Sequence, residues 1–423
     1  MSQTSGIGII GGGVVGEGVY QLLTERRESL TRASRPYEVL GVAVKDVKKP
    51  RQHVPAAMLT TPDALLADPR LDLLVEVAGG VEEPFGWVKR ALEAGKTVVT
   101  ANKALLAERA EELHGLIAAH PGKLFFEAAV AGGIPIIQAI DRGLIVNRVL
   151  TLEGILNGTC NYLLTRMERE RCSFEVALAG AQAAGFAEAD PTLDVSGGDT
   201  AHKLAVLAGL ALERPITSAQ VFTEGIQRIT AFDLAWAEQN GFRVKMLGIA
   251  RFGDGGVELR VHPTLVRRTR LISQVMEEFN AVSVEGDLTG PQLYSGRGAG
   301  RMPTASAVVS DIAQALRGES LLRARPARTG NARLIPIGEV VSRHYVHLEV
   351  IDQPGVVARV AAALAEKRIS IASMFQPDVS HGSQVPLVLT THPAPDAQIA
   401  SALEEIRRGS FLVGEPVRIR MEA

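Results

Sequence analysis

Ile7-Gly8-Ile9-Ile10-Gly11-Gly12-Gly13-Val14-Val15-Gly16 is a short apolar strand running straight into a glycine turn. Helical spacing begins at Val14 and carries Val15, Val19, Leu22 and Leu23 to one side. Strand, Gly-x-Gly-x-x-Gly and helix in succession are the context that turns a weak motif into a dinucleotide fingerprint. Gly11 permits the tight turn, Gly13 lets backbone approach a pyrophosphate, and Gly16 lets the helix pack close to the strand. The unpaired N–H groups of the helix start then face the phosphates. The expected cofactor-facing set is therefore Gly11, Gly13, Val14, Val15 and Gly16, on a Rossmann-like parallel sheet of the α/β class.

The strands that follow fit that sheet. Glu38 to Val44 ends at Lys45-Asp46, with Lys48, Lys49 and Arg51 just beyond. In this fold an acid leaving the second strand suits a free ribose 2′-OH and a base suits a 2′-phosphate. Here both stand side by side, with the basic side in excess. Asp72 to Ala78 is a buried parallel strand, Pro84 to Ala94 a helix closed by Gly95, and Lys96 to Thr100 the next strand. Ligands gather beyond the carboxyl ends of such strands, which is where Lys103 falls. Lys123 to Glu127 is a further strand, and Ala128 to Pro135 then bends the backbone.

A second stretch carries chemistry: Gly185-Phe-Ala-Glu188-Ala-Asp190-Pro191-Thr-Leu-Asp194-Val-Ser196-Gly197-Gly198-Asp199-Thr-Ala-His202-Lys203. Ser196 has the pattern of an N-cap with an acid three residues later. On that register Asp199 sits in the first turn of a helix, and Lys203 lies four residues on, on the same face. The first half of the stretch, with Pro191, is expected as a loop folding back over the helix start. An acidic loop facing a helical Asp/Lys pair can hold a small zwitterion and still offer a lysine for proton transfer.

Residues 216–290 are expected to alternate short strands, such as Val257 to Val261 and Ala281 to Val284, with helices in a mixed sheet. Leu293 to Pro303, with Gly296, Gly298 and Gly300, is expected as a second glycine turn opening a helix from Thr304 to Arg317. Arg323, Arg325, Arg328 and Arg333, with Pro326 and Pro336, mark a linker over 319–343. Beyond it the periodicity gives strand, helix, strand, strand, helix, strand, a ferredoxin-like order.

Composition excludes several classes. The net charge of −2 and pI near 6.5 give no attraction to nucleic acid or to an anionic membrane. The longest apolar run, Leu204 to Leu212, is too short to span a bilayer. No basic-then-apolar leader opens the chain, and Cys160 and Cys172 make neither a disulfide framework nor a zinc site. A cytoplasmic protein of two or three domains is expected from 423 residues.

The 185–203 stretch resembles the homoserine dehydrogenase family. Ala181, Gly185, Phe186, Ala187, Asp190, Pro191, Asp194, Val195, Gly197, Asp199 and Lys203 fill every fixed position of its motif. The family's Val-Thr-x-Asn-Lys is intact at Val99 to Lys103, and Glu153 to Tyr162 matches Glu-Gly-Ile-x-Asn-Gly-Thr-Thr-Asn-Tyr except that Cys160 replaces a threonine. Asp352-Gln-Pro-Gly-Val and Ser373-Met-Phe-Gln376 resemble ACT domains, which often bind amino acids.

The resemblance implies interconversion of L-homoserine and L-aspartate 4-semialdehyde. A lysine whose pKa is lowered by burial or a neighbouring cation can act as the acid there. By resemblance that residue is Lys203, supported by Lys103, with Glu188 and Asp199 binding the substrate's amino end and Asp194 in the polar network. Gly185, Lys45, Lys103, Gly298 and Gly300 join the cofactor set. Lys45 stands where the family often has an arginine associated with NADP, so NADP(H) is expected ahead of NAD(H). Sodium is implied on the main-chain oxygens of Glu127, Val130, Gly132 and Ile134.

The implied layout is a nucleotide-binding domain over 1–135 plus 300–318 and an α+β substrate and dimerisation domain over 136–299. The linker and an ACT domain over 344–423 follow. A homodimer or homotetramer is expected, with threonine as effector. No kinase-like segment precedes Gly6, so no fused aspartokinase is expected. Two rivals remain: a dehydrogenase for another small amino-acid-derived carbonyl, perhaps phosphorylating with Cys160 as nucleophile, and a non-catalytic sensor of cofactor and amino acid.

Overall fold

The computed structural model describes residues 4–321, 333–377 and 384–422. Arg323, Arg325, Pro326 and Arg328 of the expected linker lie outside the described residues. The chain forms two compact units, one of Met1–Gly158, Asp199–Val221 and Phe279–Ala332, the other of Thr159–Gly198, Phe222–Glu278 and Arg333–Ala423.

In the first unit six strands form one sheet in the order Leu59–Thr60, Tyr37–Ala43, Ser5–Ile10, Leu71–Glu76, Thr97–Thr100, Lys123–Phe125. All neighbours are parallel. The order reverses beside Ser5–Ile10, the crevice where dinucleotide-binding folds take their ligand. Ile7, Ile9, Leu73, Leu74, Val98 and Val99 are buried, which is why these strands are continuous apolar runs and do not alternate.

The three glycines of the opening motif behave as their spacing predicts. Gly11 has φ +114°, and a Cβ there would lie 2.6 Å from the carbonyl carbon of Val77. A Cβ on Gly16 would sit 1.7 Å from the Gly11 oxygen, so helix Val14–Glu25 rests directly on the turn. A Cβ on Gly13 meets nothing within 4 Å, leaving the turn's outer surface open to a ligand. No side chain caps this helix start. Gly16→Val must therefore push helix from turn, a strain of about 1–3 kcal/mol. A lower Tm and a dinucleotide Kd raised about tenfold or more are expected, read by fluorescence titration.

Helix Arg301–Leu316 lies along Val14–Glu25, with Arg301 Nη2 donating to Gln21 Oε1 at 2.6 Å. Val149–Ile155, Phe279–Gly286 and Gly290–Arg297 form an antiparallel trio. The second glycine turn is thus shorter than its composition suggests. Residues 290–297 are strand, paired along Phe279–Gly286, and only Gly298 to Gly300 turn, with φ +116° at Gly300. The helix accordingly starts at Arg301 and not at Thr304.

In the second unit the expected short strands of 242–267 are a hairpin of two twelve-residue strands, Phe242–Gly253 and Gly256–Arg267. Arg243, Lys245, Arg260 and His262 interrupt the apolar pattern in sequence, yet all four are buried. The sheet continues from Gly256–Arg267 through Leu412–Glu422, Val341–Ile351, Gln384–Thr391 and Ile371–Phe375. With helices Val356–Glu366 and Asp396–Arg407 these last four strands give the expected βαββαβ order around Leu348, Val360, Leu387, Ile399 and Ile406.

This module is sewn to the hairpin. Arg420 to Glu422 pair in parallel with Thr264 to Val266. Glu422 accepts from Arg260 Nη2 at 2.8 Å and from Arg251, and Tyr345 Oη donates to Asp233 at 2.8 Å. Part of the linker is pinned too, since Val257 N donates to Arg333 O at 2.8 Å. No helix among the described residues is long and apolar enough to cross a membrane.

Candidate active site

Lys103 opens helix Lys103–Glu108, and the residues before it hold that helix in place. Asn102 Oδ1 accepts from Leu105 N at 3.1 Å while Asn102 Nδ2 donates to Gly80 O at 2.7 Å. Asn102 N donates to Thr100 Oγ1 at 3.0 Å, and Thr100 Oγ1 donates to Glu76 Oε2 at 2.7 Å. Glu76 is buried, and that burial pushes its carboxyl above the usual range. The motif Val-Thr-x-Asn-Lys thus ties one strand end to the next and presents Lys103 beyond both.

Lys203 lies on helix Gly198–Leu212 with Asp199 one turn before it. Lys203 Nζ donates to Asp199 Oδ2 at 2.7 Å, and Lys103 Nζ is 3.0 Å from Asp199 Oδ1. One carboxylate therefore carries both ammonium groups, an oxygen each. Asn157 Nδ2 also donates to Asp199 Oδ2 at 2.8 Å. Burial works against the Asp199 charge, but Lys203 and Lys103 outweigh it and hold the carboxyl far below the usual carboxylate range. Lys203 Nζ also donates to Leu156 O at 2.7 Å, and that oxygen takes Asn280 Nδ2 at 3.0 Å. An ammonium has three donors; these two bonds leave one to meet a carbonyl oxygen.

The sequence register of Asp199 and Lys203 holds, but Ser196 is not the cap. Thr192–Val195 is a helical turn of its own, ended by Ser196 at φ −77° and ψ −15°. The chain reverses at Gly197, φ +92°, where a Cβ would lie 2.6 Å from Met246 Cε. The cap was unreadable because a one-turn helix has no period to show.

Glu188, Asp194 and Gly185 belong to the second unit. Glu188 is exposed, and its carbonyl accepts from Gln182 Nε2 at 3.0 Å. Phe186 stacks on Tyr162 at 4.4 Å, and Thr159 Oγ1 donates to Phe186 O at 3.0 Å, which holds this loop to helix Gly158–Glu170. Cys160 is buried with its thiol donating to Asp194 O at 3.2 Å. That is the setting of a packed side chain and not of an activated nucleophile. Lys45 forms an exposed ion pair with Glu83 at 2.7 Å.

The turn Glu127 to Ile134 passes through φ +56° at both Ala131 and Gly132, and Gly133 N donates to Arg297 O at 3.2 Å. It therefore packs on the second glycine turn, where a Cβ on Gly132 would lie 2.5 Å from Gly298 O. The donors of this set are carbonyl oxygens, suited to a hard cation. Among the described residues, Glu127 O receives Val130 N at 3.5 Å and Ile134 O receives Ile136 N at 2.8 Å, and a carbonyl oxygen with one such bond keeps a lone pair. The residues fit sodium. Asn157, the Leu156 carbonyl and Asn280 were not singled out from sequence. Asn157 was readable within its motif, whereas Asn280 stands 124 positions from Leu156 with no local signal.

Comparison with known proteins identifies the family. Residues 135–313 match the homoserine dehydrogenase family model, residues 11–127 the homoserine dehydrogenase NAD-binding domain, and residues 344–408 the ACT domain. The chain is 38% identical to the homoserine dehydrogenase of Neisseria gonorrhoeae over 427 residues, covering 99% of this chain and 98% of the relative. It is 40% identical to that of Pseudomonas aeruginosa, covering 98% of each. A crystal structure of a homoserine dehydrogenase from Thiobacillus denitrificans superposes with a TM-score of 0.92 at 39% identity, covering 99% of this chain and 98% of that one. The Staphylococcus aureus enzyme gives a TM-score of 0.78 at 29% identity over the full length of both. The chain therefore belongs to the homoserine dehydrogenase family, oxidoreductases here built from an NAD-binding domain, a mixed-sheet domain and a C-terminal ACT domain.

Proposed function

We propose that this protein converts L-aspartate 4-semialdehyde and NAD(P)H to L-homoserine and NAD(P)⁺, reversibly, in threonine, methionine and isoleucine biosynthesis. The single observation that carries this reading is the Lys203–Asp199–Lys103 cluster. When bound, the nicotinamide gives up or takes back the hydride. The remaining step is a proton at the substrate oxygen, and Lys203 Nζ gives it in the reductive direction and recovers it in the oxidative one. Asp199 and Leu156 O aim that amine; Lys103 adds a second cation beside the developing alkoxide. Glu188 and Asp199 engage the substrate's ammonium, with Asp194 in the same polar network.

Gly11, Gly13, Val14, Val15 and Gly16 would hold the dinucleotide, and Gly185, Gly298 and Gly300 belong to the same cofactor set. Lys45 favours a 2′-phosphate by charge alone, without the planar fork of an arginine, so NADP(H) is preferred and NAD(H) accepted. The carbonyls of Glu127, Val130, Gly132 and Ile134 would hold sodium, which would steady the turn that packs on Gly298. The reading includes a cytoplasmic homodimer or homotetramer with the domain limits given from sequence, and inhibition by threonine through the ACT domain.

Homoserine oxidation followed at 340 nm with each cofactor, with and without threonine, tests it. Turnover with both cofactors and a higher kcat/KM with NADP⁺ are expected. No homoserine-dependent signal with either would leave the sensor reading in its place.

A further inference from the structure

The loop after strand Tyr37–Ala43 carries an arginine back to the dinucleotide turn. Gly11 N donates to Ala43 O at 2.9 Å, which sets the strand end against that turn. Residues 45–50 are exposed, and the loop then returns. His53 N donates at 3.2 Å to Glu17 Oε2, in the first turn of helix Val14–Glu25, and Val54 is buried. Arg51 is thereby held between the strand end and the helix start. Its Nε lies 3.4 Å from the point that a Cβ on Gly12 would occupy, with Val44 Cγ1 and Val42 Cγ1 2.5 and 3.6 Å from the same point. That Nε is buried without a hydrogen-bond partner, and among the described residues Arg51 has no carboxylate beside it. Buried N–H groups in native structures almost always meet an acceptor, and a guanidinium takes a phosphate by two parallel N–H bonds.

The neighbouring charges are engaged elsewhere. The Lys45 side chain is 79% exposed and pairs at 2.7 Å with Glu83, at the start of helix Glu82–Glu93. Asp46, the acid nearest the strand end, accepts from Lys48 N at 2.9 Å and is folded back on its own loop. It is thus turned from the role of an acid that reads a free ribose 2′-OH. Of Lys45, Lys48, Lys49 and Arg51, only Arg51 is part-buried. The charge of the exposed three acts through water and is screened by salt, whereas a guanidinium fixed beside the glycine turn can make direct bonds.

We propose that Arg51 is the residue that selects the phosphorylated cofactor. Its guanidinium takes the 2′-phosphate of NADP(H), while Lys45, Lys48 and Lys49 add screened charge around it. This rests on the cofactor reading above and moves the selecting contact from Lys45 to Arg51. The planar fork that is lost where Lys45 stands is supplied further along the same loop.

The test titrates the full-length protein with NADPH and with NADH, each followed by its nicotinamide fluorescence, in wild type, Arg51→Gln and Lys45→Gln. Wild type should bind NADPH more tightly than NADH. Arg51→Gln should raise the NADPH Kd by about 10–100-fold, the range for losing hydrogen bonds to a charged group, and leave the NADH Kd within about twofold. The retained NADH affinity also shows that this variant folds. Lys45→Gln, which removes an exposed charge, should raise the NADPH Kd only a few-fold. Equal losses for NADPH and NADH in Arg51→Gln would place the guanidinium on the adenosine or pyrophosphate that both share, and overturn the assignment. An NADPH Kd unmoved in Arg51→Gln, or moved further in Lys45→Gln, overturns it too. A wild type that does not favour NADPH removes the cofactor preference itself, and this inference with it.

Discussion

Lys203→Ala should lower kcat for homoserine oxidation by about 10²–10⁴-fold, the range expected for loss of a positioned general acid–base, with the Kd for NADPH unchanged. The side chain is 12% exposed and makes two fixed hydrogen bonds, to Asp199 Oδ2 and Leu156 O. Its remaining N–H is thereby pointed. Alanine removes the amine proposed as the proton relay but leaves the glycine turn at Gly11 to Gly16 in place. Steady-state assays alongside a fluorescence titration of NADPH separate the two effects. Turnover within a few-fold of wild type would take Lys203 out of the mechanism.

Asp199→Asn should cost about a hundredfold in kcat/KM, the scale of a misplacement near 1 Å, with a rise in the KM for homoserine. The amide keeps the shape but offers one acceptor oxygen where the carboxylate offers two, and both Lys103 and Lys203 depend on those two oxygens. Two ammonium groups would then share a pocket with no anion between them. The same variant has a pH signature. The Asp199 pKa is depressed in the folded protein, so its stabilisation is fully present above the unfolded carboxylate value of about 3.9. It is lost as pH falls through the folded value. Acid unfolding curves of wild type and variant should therefore converge at low pH and stand apart at neutral pH.

How much of this was written locally follows from the range of the interactions. The glycine turn needs only neighbours in sequence, because Gly11, Gly13 and Gly16 act through the strand and helix on either side of them. Asp199 and Lys203 meet because a helix repeats, so four residues of spacing were enough. Lys103 was legible as a residue beyond a strand end, and the βαββαβ order of the last module as a run of alternating periods. The hairpin at 242–267 was hidden for the opposite reason. Lys245 looks like a solvent-facing residue, yet it is buried, with Nζ donating to Asn161 Oδ1 at 2.8 Å and its pKa lowered to about 7 by burial. Arg243 is likewise matched by Glu168, 75 positions away, at 2.9 Å.

By itself, the sequence determined the dinucleotide turn, the parallel sheet, the acid–lysine register and the order of the final module, since each is set by short-range spacing. Only the tertiary structure decided that Lys103 and Lys203 share one carboxylate, that Leu156 O and Asn280 complete their setting, and that the last strand joins the hairpin through Glu422 and Arg260. The physical reason is one of reach. A buried charge is stable only beside its partner, and that partner stands scores or hundreds of residues away, where no period in the chain can announce it.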